Sequence, residues 1–207
     1  MIRLAAFRHA PTAWNFDRRL QGRRDIPLSA EGRDRLAARR LPPELAAFDW
    51  WTSPLARARE TARHLGLDAR PDARLIEMDW GDWEGHSLAE LRAADPVALA
   101  AAEALGLDLR PPGGESPRDV IRRLSPLLAE RAGAGRAGAG RIGAGRDCGF
   151  VTHKGVLRAL LSIATGWPML GRPPVRLDPD TILLFTLAGS RLELEGTLHF
   201  APKEPAP

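Results

Sequence analysis

Three short apolar runs in this 207-residue chain each end on residues that can do chemistry. IRLAAF (2–7) runs into Arg8-His9, FDWWT (48–52) into Ser53 with Arg57 shortly after, and CGFVT (148–152) into His153-Lys154. If these runs are strands of one open α/β sheet, their carboxyl ends share an edge, where ligands gather in such sheets. Two imidazoles and at least two guanidinium groups would meet there. That set suits a tetrahedral dianion, because guanidinium forks bind phosphate oxygens in pairs. Attack on phosphorus by a neutral imidazole builds charge on the phosphoryl oxygens, so fixed positive donors must surround them. The leaving alkoxide needs a proton, which a carboxylic acid can supply before acting as base toward water. Glu77, at the end of RLIEM, is the first candidate. Glu84 is the next, and Asp79 and Asp82 crowd the same turn. This scheme requires no metal and no cofactor. Taken singly, His9 and His153 read as structural histidines; their joint placement after strands reads as functional.

The elements that would hold these groups alternate. After the first strand, residues 12–28 lack a clean period and contain Gly22 and Pro27, so a loop is expected. Ser29 caps a helix over about 30–40, stopped by Pro42-Pro43. Ser53-Pro54 is expected to open a helix with a cap and a first-turn proline, ending at Gly66. RLIEM (74–78) reads as a short strand or extended segment. SLAELRAADPVALAAAEAL is helical with a break at Pro96, and a helical lid is expected over 86–112. Its Ala- and Leu-rich composition hints at an apolar or loosely selective entrance. Ser116-Pro117 starts another helix, to about Arg131. Residues 132–146 read as a flexible Gly/Ala/Arg connector with no P-loop ending. The strand 148–152 and a helix from GVLRALLSIATG follow. TILLFTL and RLELEGTLHF form an antiparallel hairpin, and the tail APKEPAP is expected to fray. The expected architecture is one domain over 1–207: a three-layer α/β/α sandwich with a mostly parallel central sheet and an antiparallel C-terminal edge.

Against this background the resemblance is specific. RHAPTAWN (8–15) resembles the RHG-x-[ST]-x-x-N opening of the histidine phosphatase superfamily, which includes cofactor-dependent phosphoglycerate mutases. The likeness continues through LQGRRDIPLSAEGRDRL (20–36), TSPLARARETA (52–62), LIEMDWGDWEG (75–85), GGES (113–116) and VTHKGVLRAL (151–160), in the family's order. It implies a phosphoglycerate mutase-like fold with His9 as the phosphorylated residue. Arg8, Arg57 and His153 would bind the phosphoryl group, and Glu77 would be the acid/base. Asn15, Gln21 and Gly22 fall where the family's loop nears the phosphate or substrate, while Thr12, Thr152 and Glu84 match positions around the pocket. There are two departures. Ala10 replaces the usual glycine and precedes Pro11, which drives it toward extended geometry. Lys154 replaces a second glycine, and either adds a cation to the pocket or points to solvent.

Composition narrows the alternatives. Lys154 and Lys203 are the only lysines among 30 basic residues, and the formal charge is +4. The arginines are scattered and offset by 26 acidic residues, without the basic stripe or interleaved aromatics of a nucleic-acid binder. A modest positive field still favours small anionic substrates. Cys148, the lone cysteine, permits no internal disulfide and reads as a buried spectator. His64, His86 and His199 show no metal-ligand spacing. No apolar run reaches membrane-spanning length and no secretion signal is visible, so a cytoplasmic location is expected. Homo-oligomerisation is left open. The leading expectation is a phosphatase acting on a small phosphomonoester. A mutase that returns the phosphoryl group to a substrate hydroxyl is the alternative, disfavoured by the compact length, and a non-catalytic phospholigand-binding module is a further one.

Overall fold

A computed structural model describes residues 1–133 and 145–203. Most of the expected connector at 132–146 and the last residues of the tail lie outside the described residues. In chain order the elements are β1 (Ile2–Arg8), α1 (Ala13–Phe16), α2 (Ala30–Ala37), β2 (Arg39–Arg40), β3 (Asp49–Thr52), α3 (Ala56–His64) and β4 (Ala69–Pro71). They continue with α4 (Leu88–Ala94), α5 (Pro96–Ala104), α6 (Pro117–Arg131), β5 (Cys148–Thr152), α7 (Lys154–Thr165), β6 (Thr181–Ala188), β7 (Arg191–His199) and β8 (Ala201–Pro202).

The main sheet has six strands in the order β4-β3-β5-β1-β6-β7. β4, β3, β5 and β1 pair in parallel, and β6 and β7 add the antiparallel edge. β1 is apolar on both faces because both are covered, as parallel strands require. Leu4 and Ala6 join a core with α6 and α7, whereas Ala5 and Phe7 join a second core with α3. Helix α7 shows why the layers hold. Val156, Leu157, Leu160 and Leu161 recur at helical spacing and are buried, each contributing about 1.5–3 kcal/mol of burial. Ser116 caps α6 by accepting from the Asp119 N–H, and the Asp119 carboxylate accepts from the Ser116 N–H, a capping box legible in the sequence.

Local expectations failed at several places. RLIEM is not a strand. A single 3₁₀ turn at Ala73–Leu75 leads into irregular chain, and the strand lies earlier, at β4. Helix α2 stops at Ala37, because Arg39 and Arg40 pair with Pro202 and Ala201 of β8; the start of the tail is therefore held, not frayed. The 12–28 loop contains the short helix α1. Helix α3 begins at Ala56 with no side-chain cap from Ser53, whose hydroxyl serves elsewhere. Its Ala56 N–H is instead satisfied by the Asp25 carboxylate at 2.6 Å. None of the described helices is long and apolar enough to cross a membrane.

Candidate active site

The parallel register brings the ends of β1, β3 and β5 level, and β5 lies between the other two. The His9 N–H donates to the Thr152 carbonyl (2.9 Å) and the Ser53 N–H to the Val151 carbonyl (3.0 Å), so both flanking loops hang from one strand. The two histidine rings end 5.1 Å apart, centroid to centroid. Both are buried. His9 Nδ1 lies 2.7 Å from the Ala10 carbonyl. A carbonyl can only accept, so Nδ1 carries the proton and Nε2 keeps its lone pair. His153 Nε2 lies 2.7 Å from Ser53 Oγ, while its Nδ1 has no partner among the described residues. Ser53 Oγ also accepts from the Leu55 N–H at 3.3 Å, and among the described residues its buried hydroxyl proton has no acceptor other than His153 Nε2. That arrangement puts the His153 proton on Nδ1.

Arg57 is fully buried, and its two terminal nitrogens donate to the carbonyls of Gly22 and Arg24 at 2.8 Å each. The loop carrying those carbonyls is fixed by Glu84, which accepts from the Arg23 N–H (2.7 Å) and the Trp80 N–H (3.3 Å). Gly22 has a positive φ, and a Cβ there would fall 1.7 Å from Glu84 Oε1, so neither an L side chain's strain nor its bulk fits. Glu84 is thus engaged in holding the loop that orients Arg57, which weakens its candidacy as the acid.

Glu77 is buried, with Oε1 accepting from the Met78 N–H (2.8 Å) and Oε2 from the Gly155 N–H (3.2 Å). Two side chains anchor its irregular segment. Thr152 Oγ1 donates to the Leu75 carbonyl at 2.8 Å, and Arg123 donates to the carbonyls of Arg74 and Ile76. Charge couples the cluster. Burial pulls both histidines well below their ordinary pKa, reinforced by the neighbouring arginines, so both are neutral near pH 7. Burial also lowers Arg8 and Arg57, and Glu77 opposes the shift in each.

Of the residues expected from sequence, Arg8, His9, Arg57, Glu77 and His153 are brought together, with Gly22 tied in through its carbonyl. Gln21 is buried with its Oε1 unpartnered among the described residues. Asn15 is bound instead to its own helix start, its Oδ1 accepting from the Thr12 N–H and hydroxyl. Lys154 is exposed, yet burial and the nearby Arg8 and Arg158 lower its pKa while Glu77 raises it, so it borders the cluster. Ala10 needs no glycine, because its φ is not positive; its N–H donates to Thr61 Oγ1 at 3.0 Å. The roles of Ser53, Thr61, Arg123 and Gly155 were not read from sequence. Each acts through a tertiary contact, and only their presence inside the quoted blocks marks Ser53, Thr61 and Gly155. Among the described residues no group of three or more His, Cys, Asp or Glu side chains could hold a metal ion. Cys148 is buried in β5, where burial raises its thiol pKa to about 12.

The model of the histidine phosphatase superfamily (branch 1) matches residues 4–197. The glucosyl-3-phosphoglycerate phosphatase of Mycobacterium tuberculosis is 34% identical over 184 residues, covering 82% of this chain and 80% of that protein. A 2,3-bisphosphoglycerate-dependent phosphoglycerate mutase of Methylobacterium radiotolerans is 31% identical over 198 residues, 89% of each chain. The solved structure of mycobacterial glucosyl-3-phosphoglycerate phosphatase with inorganic phosphate aligns at a TM-score of 0.72 and 30% identity, over 95% of this chain and 96% of that one.

Proposed function

The chain belongs to the histidine phosphatase superfamily, and from that premise we propose that it hydrolyses small phosphate monoesters through a phosphohistidine on His9. The observation that carries this reading is the hydrogen bond from His9 Nδ1 to the Ala10 carbonyl, which leaves Nε2 as an unprotonated nucleophile beside His153. His9 Nε2 attacks phosphorus as the P–O ester bond breaks. Arg8, Arg57 and the Nδ1–H of His153 take up the charge that develops on the phosphoryl oxygens. The Glu77 carboxyl passes a proton to the departing alkoxide. The resulting carboxylate then takes a proton from water as that water attacks the phosphohistidine, releasing inorganic phosphate and restoring both groups. Gln21 and Gly22 border the substrate, Asn15 fixes the start of α1 in the loop that leads to them, Lys154 adds positive charge at the rim, and α4 with α5 forms the lid on the ester side. No metal takes part in the scheme.

The mutase alternative shares the first half of this reaction. Compact length does not separate the two branches, since the chain spans 89% of the Methylobacterium mutase. The phosphatase reading rests on the relatives named glucosyl-3-phosphoglycerate phosphatase. Two measurements test it. Enzyme mixed with a radiolabelled phosphomonoester and quenched should carry base-stable, acid-labile phosphate that is absent in His9→Ala. In EDTA, a panel of esters including phosphoglycerates should yield inorganic phosphate. Interconversion of phosphoglycerates without phosphate release would mark a mutase, and label retained by His9→Ala would remove His9 as the nucleophile.

A further inference from the structure

A cavity of about 280 Å³ adjoins the cluster. Its wall on that side includes Met78 and Gly155, the two residues whose N–H groups hold the Glu77 carboxylate. The rest of the lining is dominated by apolar side chains, among them Trp80, Trp83, Leu88 and Leu99. Two charged residues reach it. Glu103 is already paired with Arg92, at 2.7 Å. The Arg158 side chain makes no hydrogen bond or ion pair among the described residues, and its buried Nε has no partner. It is held by stacking, its guanidinium carbon 5.1 Å from the centre of the Trp167 ring, while the Trp167 Nε1–H donates to the Leu170 carbonyl at 2.9 Å. Stacking on an aromatic face leaves the edge N–H groups of a guanidinium free. Burial lowers its pKa, consistent with a cation stripped of much of its water. Glu77 acts on this cation through charge alone, with no hydrogen bond or ion pair between them, so a half-desolvated guanidinium gains from a ligand that brings a directly bonded counter-charge.

We infer that the preferred substrate has a largely apolar leaving group ending in a single carboxylate, which Arg158 receives across this cavity. The inference rests on the phosphomonoesterase reading above. The cavity has room for about nine water-sized groups. Its walls favour carbon over hydroxyl, because they offer few partners to a sugar-like body. Arg158 is the one cation in this lining, and a single guanidinium matches a monoanion. A second phosphate dianion would call for the several donors that surround His9.

The test compares three alkyl esters with near-equal leaving groups: a hexanoate bearing a terminal phosphate ester, its primary amide, and hexyl phosphate. In the wild-type enzyme, kcat/KM for the carboxylate should exceed that for the amide by about tenfold or more, the value of a charge-assisted hydrogen bond in a partly dry site. In Arg158→Met the ratio should fall to near one, and Arg158→Lys should keep part of it. Because each ratio is taken within one protein, general damage to the fold cancels. If Arg158→Met does not fold, the wild-type and Arg158→Lys ratios carry the test. A wild-type ratio near one, or a preference that survives in Arg158→Met, overturns the inference while hydrolysis of hexyl phosphate upholds the parent reading. Hydrolysis of none of the three, nor of phenyl phosphate, overturns both.

Discussion

Replacing Gly155 by alanine should separate proton delivery from everything else the site does. Gly155 is the second residue of α7, and its N–H holds Glu77 Oε2 at 3.2 Å. A Cβ added there would lie 2.4 Å from Glu77 Oε1 and 3.3 Å from both Glu77 Cδ and Met78 Cβ. An ordinary contact needs about 1 Å more room than the closest of these, so the carboxylate must move. It can, because it ends a flexible side chain. Alanine in a helix gains roughly 0.5–1 kcal/mol over glycine, and weakening a charge-assisted hydrogen bond costs about 1.5–3 kcal/mol. The fold should therefore lose no more than about 2.5 kcal/mol. Catalysis should suffer more, since a misplacement of about 1 Å can cost about 100-fold, within the range that general acid catalysis contributes. The loss should appear in kcat/KM for alkyl phosphates. 4-Nitrophenyl phosphate, whose phenolate leaves without a proton, should be affected far less. A thermal melt supplies the control for folding. Equal losses on both substrate types, or an untouched rate on alkyl phosphates in a folded Gly155→Ala, would refute Glu77 as the proton donor.

Stability should depend on pH through the two histidines. In the unfolded chain they titrate near about 6.5, whereas in the fold burial first, and the arginines second, hold both well below that value. Below pH about 6.5 the unfolded state therefore binds protons the folded state refuses. Their stabilising contribution is complete above that pH and is lost as pH falls, by up to about 1.4 kcal/mol per histidine per pH unit. Urea midpoints at pH 7 and pH 5.5 should show this, and His153→Gln should roughly halve the histidine part of the slope; an unchanged slope would count against buried neutral imidazoles. Cys148, with its thiol pushed up to about 12 by burial, should resist iodoacetamide at pH 8 until urea unfolds the chain. Prompt alkylation of the native protein would show that β5 is less enclosed than its contacts indicate.

The central strands and the long helices were legible because their residues carry the signal themselves. β1, β3 and β5 are dense apolar runs, and α6 has its own capping box. The short elements were not. ARP in β4 contains a proline and two-residue β2 has no period, so only the neighbouring strand makes either extended. Ser53 misled for an instructive reason. Serine before proline is a good helix opening, but its hydroxyl is drawn to His153, 100 positions away, and Asp25 takes over the helix end. The charged core of the site could be listed from sequence because reactive side chains are few and follow strands. The supports could not. Nothing local says that Thr152 ties down Leu75, that Glu84 props the loop beneath Arg57, or that Gly155 leaves just enough space for Glu77.

The central position of β5 bears on how the molecule acquires its reactivity as it is made. β1 and β3 are not hydrogen-bonded to each other and share only β5 as a paired neighbour, yet β5 is encoded after residue 147. A nascent chain that has emerged only through α6 owns His9, Arg57 and Glu77 but has no strand to align them. Pairings that span so much sequence form slowly, because a long loop must close before any contact rewards it. Competence to handle phosphate should thus arrive late and all at once, when the β5 strand slides between its partners, and shorter fragments should be chemically silent.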